Sequence, residues 1–295
     1  MYAKWLLPSM LFVLSYNALA QIDTTITDSS SPSRRSNGPA MKISVVPFSS
    51  AGIEILPFAS PEFAPLLNGM APGGTVGVLQ PLLPFSVIVK NNSQKAILGY
   101  TVVWAAVNAD GEPYTDFRGL IDYVSLKPVL VPQQASLATI LGPLEWLPLA
   151  QPSTTDVIKR EFDRFESRAS VTISLDAVLF QDGTTLGGDR FSTIADMRAR
   201  IRAEYDLYSS VVARADSGAS DAQILTALQA VSASVPVGVS QRTLGADPYT
   251  RRYRVYSARI AGTLLQTIER GGTAMMINGV RMMLQTKPYP KELLQ

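Results

Sequence analysis

The sequence predicts an α+β chain, an antiparallel β-sandwich followed by a helical region. Between Phe85 and Phe191 apolar residues alternate with period two, and two Asp-Gly pairs interrupt the runs. Beyond Phe191 the apolar spacing lengthens to three and four, the mark of amphipathic helices. A composition that is 46% hydrophobic and 17% charged, over the roughly 275 residues expected after removal of an N-terminal signal, suffices to bury about 70–75% of the unfolded surface without cross-links.

The strands follow in order. From Met41, KISVVPF and GIEILPF read as the first two, and the Pro- and Gly-rich stretch Pro57 to Pro84 as loop. In FSVIVKNNS, Phe85, Val87 and Val89 share one face, and Asn91-Asn92-Ser93 turns the chain. ILGYTVVWAAVNADG places Leu98, Tyr100, Val102, Trp104 and Ala106 on one side and Val103, Ala105 and Val107 on the other. Two apolar faces predict a central strand covered on both sides, and Asp110-Gly111 predicts a type I′ hairpin. YVSLKPVLVP and ASLATILGP read as shorter strands, with Pro128 and Pro132 pushing the former toward an edge. In VTISLDAVLFQDGTTLGG, Val171, Ile173, Leu175, Ala177 and Leu179 point one way, and Asp182-Gly183 closes a second hairpin. Asp176 falls on the opposite face, either at a wet position or buried beside an arginine of the following helix.

Helical patterns flank and follow the strands. STTDVIKREFDRFESRA has Ser153 or Thr154 as N-cap, an inward stripe of Ile158, Phe162 and Phe165, and a water-facing charged side from Lys159 to Glu166. After Phe191, Ile194, Met197, Ile201, Tyr205, Tyr208 and Val212 form a stripe about six turns long, and Gly218 stands past its end. Ser220 or Asp221 caps a shorter helix carrying Ile224, Leu228 and Val231. Asp247-Pro248 opens another, with Tyr249, Tyr253, Tyr256, Ile260, Leu264 and Ile268 inward up to Gly271-Gly272. TAMMINGVRMMLQ is the last. One apolar side per helix requires packing on a neighbouring helix or on the sheets.

At the N-terminus, Lys4, the apolar run Trp5–Leu14 and Ala18-Leu19-Ala20 read as a signal peptide over residues 1–20, cleaved before Gln21. The run is shorter than the roughly 20 residues of a membrane span. Residues 21–40, rich in Ser and Thr, read as a disordered leader, and Arg34-Arg35 within it as a solvated pair. These features predict export to the periplasm or the extracellular space, with no transmembrane segment after signal removal.

The chemistry is bounded by absence. The chain contains no histidine and no cysteine, which excludes thiol nucleophiles, Ser-His-Asp triads and the usual zinc and copper ligand sets. No phosphate-binding loop is present. After loss of Lys4 the chain carries 25 basic and 24 acidic residues, a balance that does not point to nucleic acid. Carboxylates remain: Asp110, Asp116, Asp122, Glu145, Asp176, Asp182 and Asp189. Two of them about 5–10 Å apart would suit a glycan hydrolase. Within QDGTTLGGDR, Asp182 and Asp189 are the calcium candidates, although hairpin formation and helix capping account for both. The arginines of RARIR and TRRYR interleave with tyrosines, as helix faces meeting acidic side chains or anionic polymers. Met275, Met276, Met282 and Met283 read as core filling.

VIVKNNSQKAILGYTVVWAAVNADG resembles the paired strands of immunoglobulin-like and fibronectin-III-like sandwiches in exported bacterial proteins. VTISLDAVLFQDGTTLGGDR is similar to a phrase found late in a group of uncharacterised exported proteins from soil-type bacteria. The resemblance spans about a third of the chain and rests on residue pattern. It implies an Ig-like sandwich over 41–187, a helical region over 188–295 and export, and carries over no functional residue. The expectation is a non-catalytic binding or structural protein of the envelope or secretome, without a cofactor, facing an envelope protein or glycan. The alternatives are a carboxylate-dependent glycan hydrolase and an assembly subunit pairing through its helices.

Overall fold

Trp104 has no solvent exposure, and two sheets close over it. The computed structural model describes residues 41–70, 75–123, 125–143, 152–235 and 247–294; the signal-peptide and leader assignments fall outside them. One sheet runs in the order β1 (Lys42–Val45), β9 (Ser170–Phe180), β5 (Ile97–Val107), β6 (Pro113–Ile121), with β10 (Thr185–Gly187) beside the second half of β9. The other runs β2 (Ser49–Ser50), β3 (Ile53–Pro57), β4 (Val87–Asn91), β7 (Gln134–Thr139), β8 (Gly142–Pro143). Ile53, Val87 and Val89 from one sheet and Tyr100, Val102, Trp104 and Ile173 from the other share a single apolar core. The Trp104 indole N–H donates to the Phe85 carbonyl at 2.7 Å, so the ring is buried without an orphaned donor. The pairing is antiparallel except for β1, which lies parallel to β9 and corrects the wholly antiparallel expectation.

Two β-bulges correct the predicted faces. The β5–β9 register slips once between Ile97 and Gly99 and once at Asp176, where Thr101 opposes Ala177 and Val102 opposes Leu175. An extra residue reverses the side-chain parity of everything beyond it. Val171, Ile173 and Leu175 therefore face the shared core as predicted, but it is Val178 and Phe180 that continue there. Ala177, Leu179 and Leu98 turn to the outer face, beneath a helix.

That helix is α4 (Thr193–Asp216). Its first half buries Ile194, Met197 and Ile201 on the outer face of the β5–β9 sheet. Close approach depends on missing side chains: a Cβ on Gly119 would sit 2.5 Å from Thr193 Cγ2, and one on Gly99 3.1 Å from Met197 Sδ. The second half of α4 packs Leu207, Tyr208 and Val211 against α5 (Asp221–Ser232) and α6 (Pro248–Thr286). The helical region thus packs both on itself and on the sheet, and Pro39–Gln295 is one compact unit. No described helix is long and apolar enough to cross a membrane.

The predicted punctuation holds in the helices. Ser220 and Gln223 form a reciprocal capping box on α5, Asp247 accepts from the N–H groups of Tyr249 and Thr250, and Gly218 has φ +80°. Gly272, at φ 80° and ψ 167°, breaks α6 where the sequence separates two helices. Arg252 donates to Ser192 O near the start of α4, Arg281 pairs with Asp216 at its end, and Lys287 lies back at mid-helix beside Glu204. The chain therefore reverses direction across the break.

Other expectations need correction. Pro57–Pro84 is largely helical: α1 (Phe63–Met70) buries Phe63 and Leu67, and α2 (Thr75–Leu79) leads into a 3₁₀ segment over Gln80–Phe85. Pro65 lies in the first turn of α1, where its missing N–H costs nothing; Pro72-Gly73-Gly74 falls outside the described residues. The described residues of YVSLKPVLVP form no strand and contribute one bridge, Leu130 to Ile97. Helix α3 (Pro152–Glu166) starts ahead of Ser153 and Thr154, which lie in its first turn. Its stripe of Ile158 and Phe165 is buried as predicted, yet Glu161 on the charged side is buried too. Asp110 does not have the positive φ that a type I′ turn requires. Gly111 alone does, at +86°, and Asn108 Oδ1 accepts from the N–H groups of Asp110 and Glu112.

Candidate functional site

Three connections converge on a groove of about 600 Å³: Ala51-Gly52 between β2 and β3, Asn92–Lys95 between β4 and β5, and Phe180 with Thr184–Leu186 of the β9–β10 hairpin. Each is fixed by its own chemistry. Ala51 and Gly52 both have positive φ, and a Cβ on Gly52 would stand 2.9 Å from Ser93 N. Glycine lets the two loops touch, and Asn92 N donates to Gly52 O at 2.7 Å. Asn91, fully buried, donates through Nδ2 to Lys95 O and Leu130 O and accepts from Ser93 N and Oγ. One side chain thus satisfies a loop that would otherwise strand its backbone groups.

At the rim, Lys95 Nζ pairs with Asp182 at 2.7 Å, donates to Thr184 Oγ1 and lies 5.7 Å from the centre of the Phe180 ring. The Lys95 bond, with the Thr184 hydroxyl and N–H, lowers the Asp182 pKa to about 2. Asp182 therefore stays ionised as part of a neutral pair. The amide of Gln94, which is exposed, has no partner among the described residues. The groove is uncharged overall, with Phe180 and Leu186 beneath amide and hydroxyl groups.

The sequence-predicted carboxylates are dispersed. Asp189 accepts the N–H groups of Ile194 and Ala195 at 2.9 and 3.2 Å, capping α4 from a distance. With Asp182 held by Lys95, both calcium candidates have partners, and no group of three metal-binding side chains occurs among the described residues. Asp110 lies in the first hairpin turn. Asp122 accepts from Ser125 N and Oγ. Asp176, the bulge residue, is 3% exposed and accepts from Arg190 Nε at 2.7 Å; its partner precedes the long helix instead of lying within it. Glu145 falls outside the described residues. Asp116 pairs with Trp104 across the sheet, and Asp122 follows Ile121, opposite Gly99, so about 20 Å of strand separates them at 3.3 Å per residue. Asp176 neighbours Ala177, which opposes Thr101 and through it Gly119, about 14 Å from either by strand spacing and rise.

A closer acidic pair joins β6 to α3, and sequence reading missed it. Arg164 Nη1 lies 3.7 Å from Asp116 and 3.0 Å from Glu161. Arg118 donates to Asp116 at 2.6 Å, and Arg164 and Arg168 stack on the Tyr114 ring. Burial raises the Glu161 pKa, with Arg160 and Arg118 opposing it. Glu161 stands three residues before Arg164 on the helix, a spacing that was visible in the sequence.

The Arg-Tyr stretches close on the protein itself. Arg202 pairs with Asp206, Arg252 with Asp196, Arg198 donates to Gly183 O, and Arg200 covers the Tyr123 ring at 3.7 Å. Of the methionines read as core, Met276 is buried, whereas Met275 and Met282 are 37% and 56% exposed.

No protein-family model, no curated protein and no solved structure matches this chain.

Proposed function

We propose that the chain is an exported, non-catalytic binding protein of the bacterial envelope or secretome: an Ig-like sandwich over 41–187 with a helical region over 188–295. Its loop groove receives an envelope protein or glycan. The strand order supports the Ig-like reading. In that reading β3–β4–β7 and β6–β5–β9–β10 are the A–B–E and C′–C–F–G sets and Trp104 on β5 is the buried tryptophan of strand C, with β1, parallel to β9, as an addition to the pattern. Export is supported by the signal-like residues 1–20, and a cysteine-free chain of this size is compatible with it. The observation that carries the functional reading is the groove, built where such sandwiches present binding loops, by connections whose glycine and buried asparagine serve loop geometry.

The test is a thermal-shift screen of the protein against envelope glycans, peptides and calcium, since a ligand selective for the native state raises Tm. A hit is expected to lose its shift in Gln94→Ala and Thr185→Arg variants and to keep it in Arg254→Ala. Shifts indifferent to both groove variants would refute the assignment.

The hydrolase alternative draws support from the Asp116–Glu161 pair, because an acid with a raised pKa beside a second carboxylate suits glycoside cleavage. Arg118 and Arg164, which bind these carboxylates directly, weigh against it by occupying the space a sugar would need.

A further inference from the structure

We propose that the groove takes an extended peptide segment, which adds to the open edge of β10 through main-chain hydrogen bonds to Thr185 and Gly187. This rests on the groove reading above and decides between the two ligand classes left open there.

The register of the hairpin carries the inference. Phe180 N donates to Thr184 O, and Gly188 N donates to Asp176 O; Leu179 opposes Thr185, Val178 opposes Leu186, and Ala177 opposes Gly187. In an antiparallel ladder the bonded pairs alternate. Thr184 O, Leu186 and Gly188 N thus bond β9, while Thr185 and Gly187 turn their backbone groups away from it. Among the described residues neither has a main-chain or side-chain partner for those groups. Thr185 and Leu186 also line the groove. The unpaired groups of Thr185 therefore border the cavity, and those of Gly187 lie two residues further along the same edge, which is what an added strand requires.

Two of the other edges, β6 and β8, are guarded. Pro113 sits in β6, whose Arg118 side chain reaches across to Ile140 O, and Pro143 sits in β8. Proline and charge are the usual protection of a sheet edge. β10, of sequence Thr-Leu-Gly, carries neither. Its edge is also too short, at about 10 Å, to recruit a second long strand indiscriminately.

A glycan fits the same groove less well. Saccharide sites rely on exposed aromatic faces, and the one aromatic lining residue, Phe180, is 5% exposed with Lys95 beside its ring. Nor does the groove favour a charged partner, because Lys95 and Asp182 neutralise each other. The occupant is an uncharged extended segment that sets an apolar side chain over Leu186 and Phe180.

The test uses the purified protein and a phage library of random dodecapeptides, with a panel of envelope oligosaccharides in parallel. Enriched peptides are expected to slow hydrogen exchange of the Thr185 and Gly187 amides at least tenfold. N-methylating alternate peptide residues, which removes donors but keeps the side chains, should weaken binding at least tenfold. Thr185→Pro, which deletes the outward N–H, should weaken it likewise; the N-methylated peptides give the same readout should this variant not fold. Absence of any enriched peptide, binding indifferent to N-methylation, or protection elsewhere would each overturn the proposal. An oligosaccharide that perturbs Gln94 and Lys95 without protecting Thr185 would overturn it while leaving the groove reading intact. Failure of both panels at the groove would remove that reading as well.

Discussion

Replacing Lys287 with methionine should destabilise the protein by about 3–5 kcal/mol, the cost of leaving a buried charge without its partner. Lys287 and Glu204 lie 83 residues apart in sequence, their side chains 3% and 11% exposed. The ammonium also donates to Tyr123 O at 2.8 Å, and Tyr289 OH donates to the same Glu204 oxygen at 2.6 Å. Burial and the Glu204 charge both raise the Tyr289 pKa, so the phenol remains a donor at any physiological pH. In Lys287→Met the carboxylate keeps only that donor. For a protein of this size, thermal unfolding should fall by roughly 10 °C, and proteolysis should release the segment after Thr286, whose Leu293 packs on the sheet. Urea denaturation measures the loss. The triple change Glu204→Leu, Lys287→Met and Tyr289→Phe removes both charges and the orphaned hydroxyl together and should recover all but about 1–2 kcal/mol. A single-variant loss under about 1 kcal/mol, or one abolished by 0.5 M salt, is the behaviour of a solvated surface pair and would refute the reasoning.

Two further outcomes follow from α6 and α3. Gly272 and Gly279 both have open space where a Cβ would go, so alanine at either reads backbone conformation alone. Gly272→Ala, forced to φ 80° and ψ 167°, should cost about 1–3 kcal/mol; Gly279→Ala, inside the helix, should gain about 0.5–1 kcal/mol, both read from urea midpoints. Glu161 titrates above its ordinary 4.5 because it is buried. Its contribution to stability is therefore complete below pH 4.5 and lost as pH rises through the higher folded value. Glu161→Gln should gain stability relative to the parent across that interval; a difference independent of pH would contradict the burial of Glu161. Asp182, lowered to about 2 from 3.8, acts with the opposite sign below that window, so the two titrations separate.

Much of this architecture was legible because local chemistry and fold agree. Trp104 lies in a strand apolar on both sides, and α4 covers the second face around Leu98, while Ala105 further along it is exposed. Ser220 with Gln223, Asp247 with Pro248, and Gly218 mark helix ends at single positions, where one side chain meets nearby backbone groups. What escaped was nonlocal or sign-reversing. Leu98, Ala177 and Leu179 suit either side of a doubly covered sheet, so nothing in their hydrophobicity reports a bulge. The Glu204–Lys287 clip and the Asp116–Arg164 contact join residues that only the fold brings together. The groove was readable in part: Ala51-Gly52 ends in the residue that a tight turn needs, but its approach to Ser93 has no local trace.

The bulge at Asp176 links these points to the proposed function. Before it, the outer edge of β9 is occupied by β1, from Ser170 to Ile173; after it, the same edge belongs to β10, from Ala177 to Leu179. The inserted residue ends one pairing and begins the other. It does so at a position where Gly187 is obligatory, because a Cβ there would lie 2.2 Å from Asp176 O and φ is +97°. A regular β9 would send Phe180 outward beneath α4 and Leu179 into the core, displacing the ring from the floor of the groove. Asp176 has the short polar side chain that Arg190 holds at the bulge. The residue that looked like a catalytic candidate in sequence is thus better understood as the one that sets the register of the hairpin. The open edge of β10 is the consequence of that register.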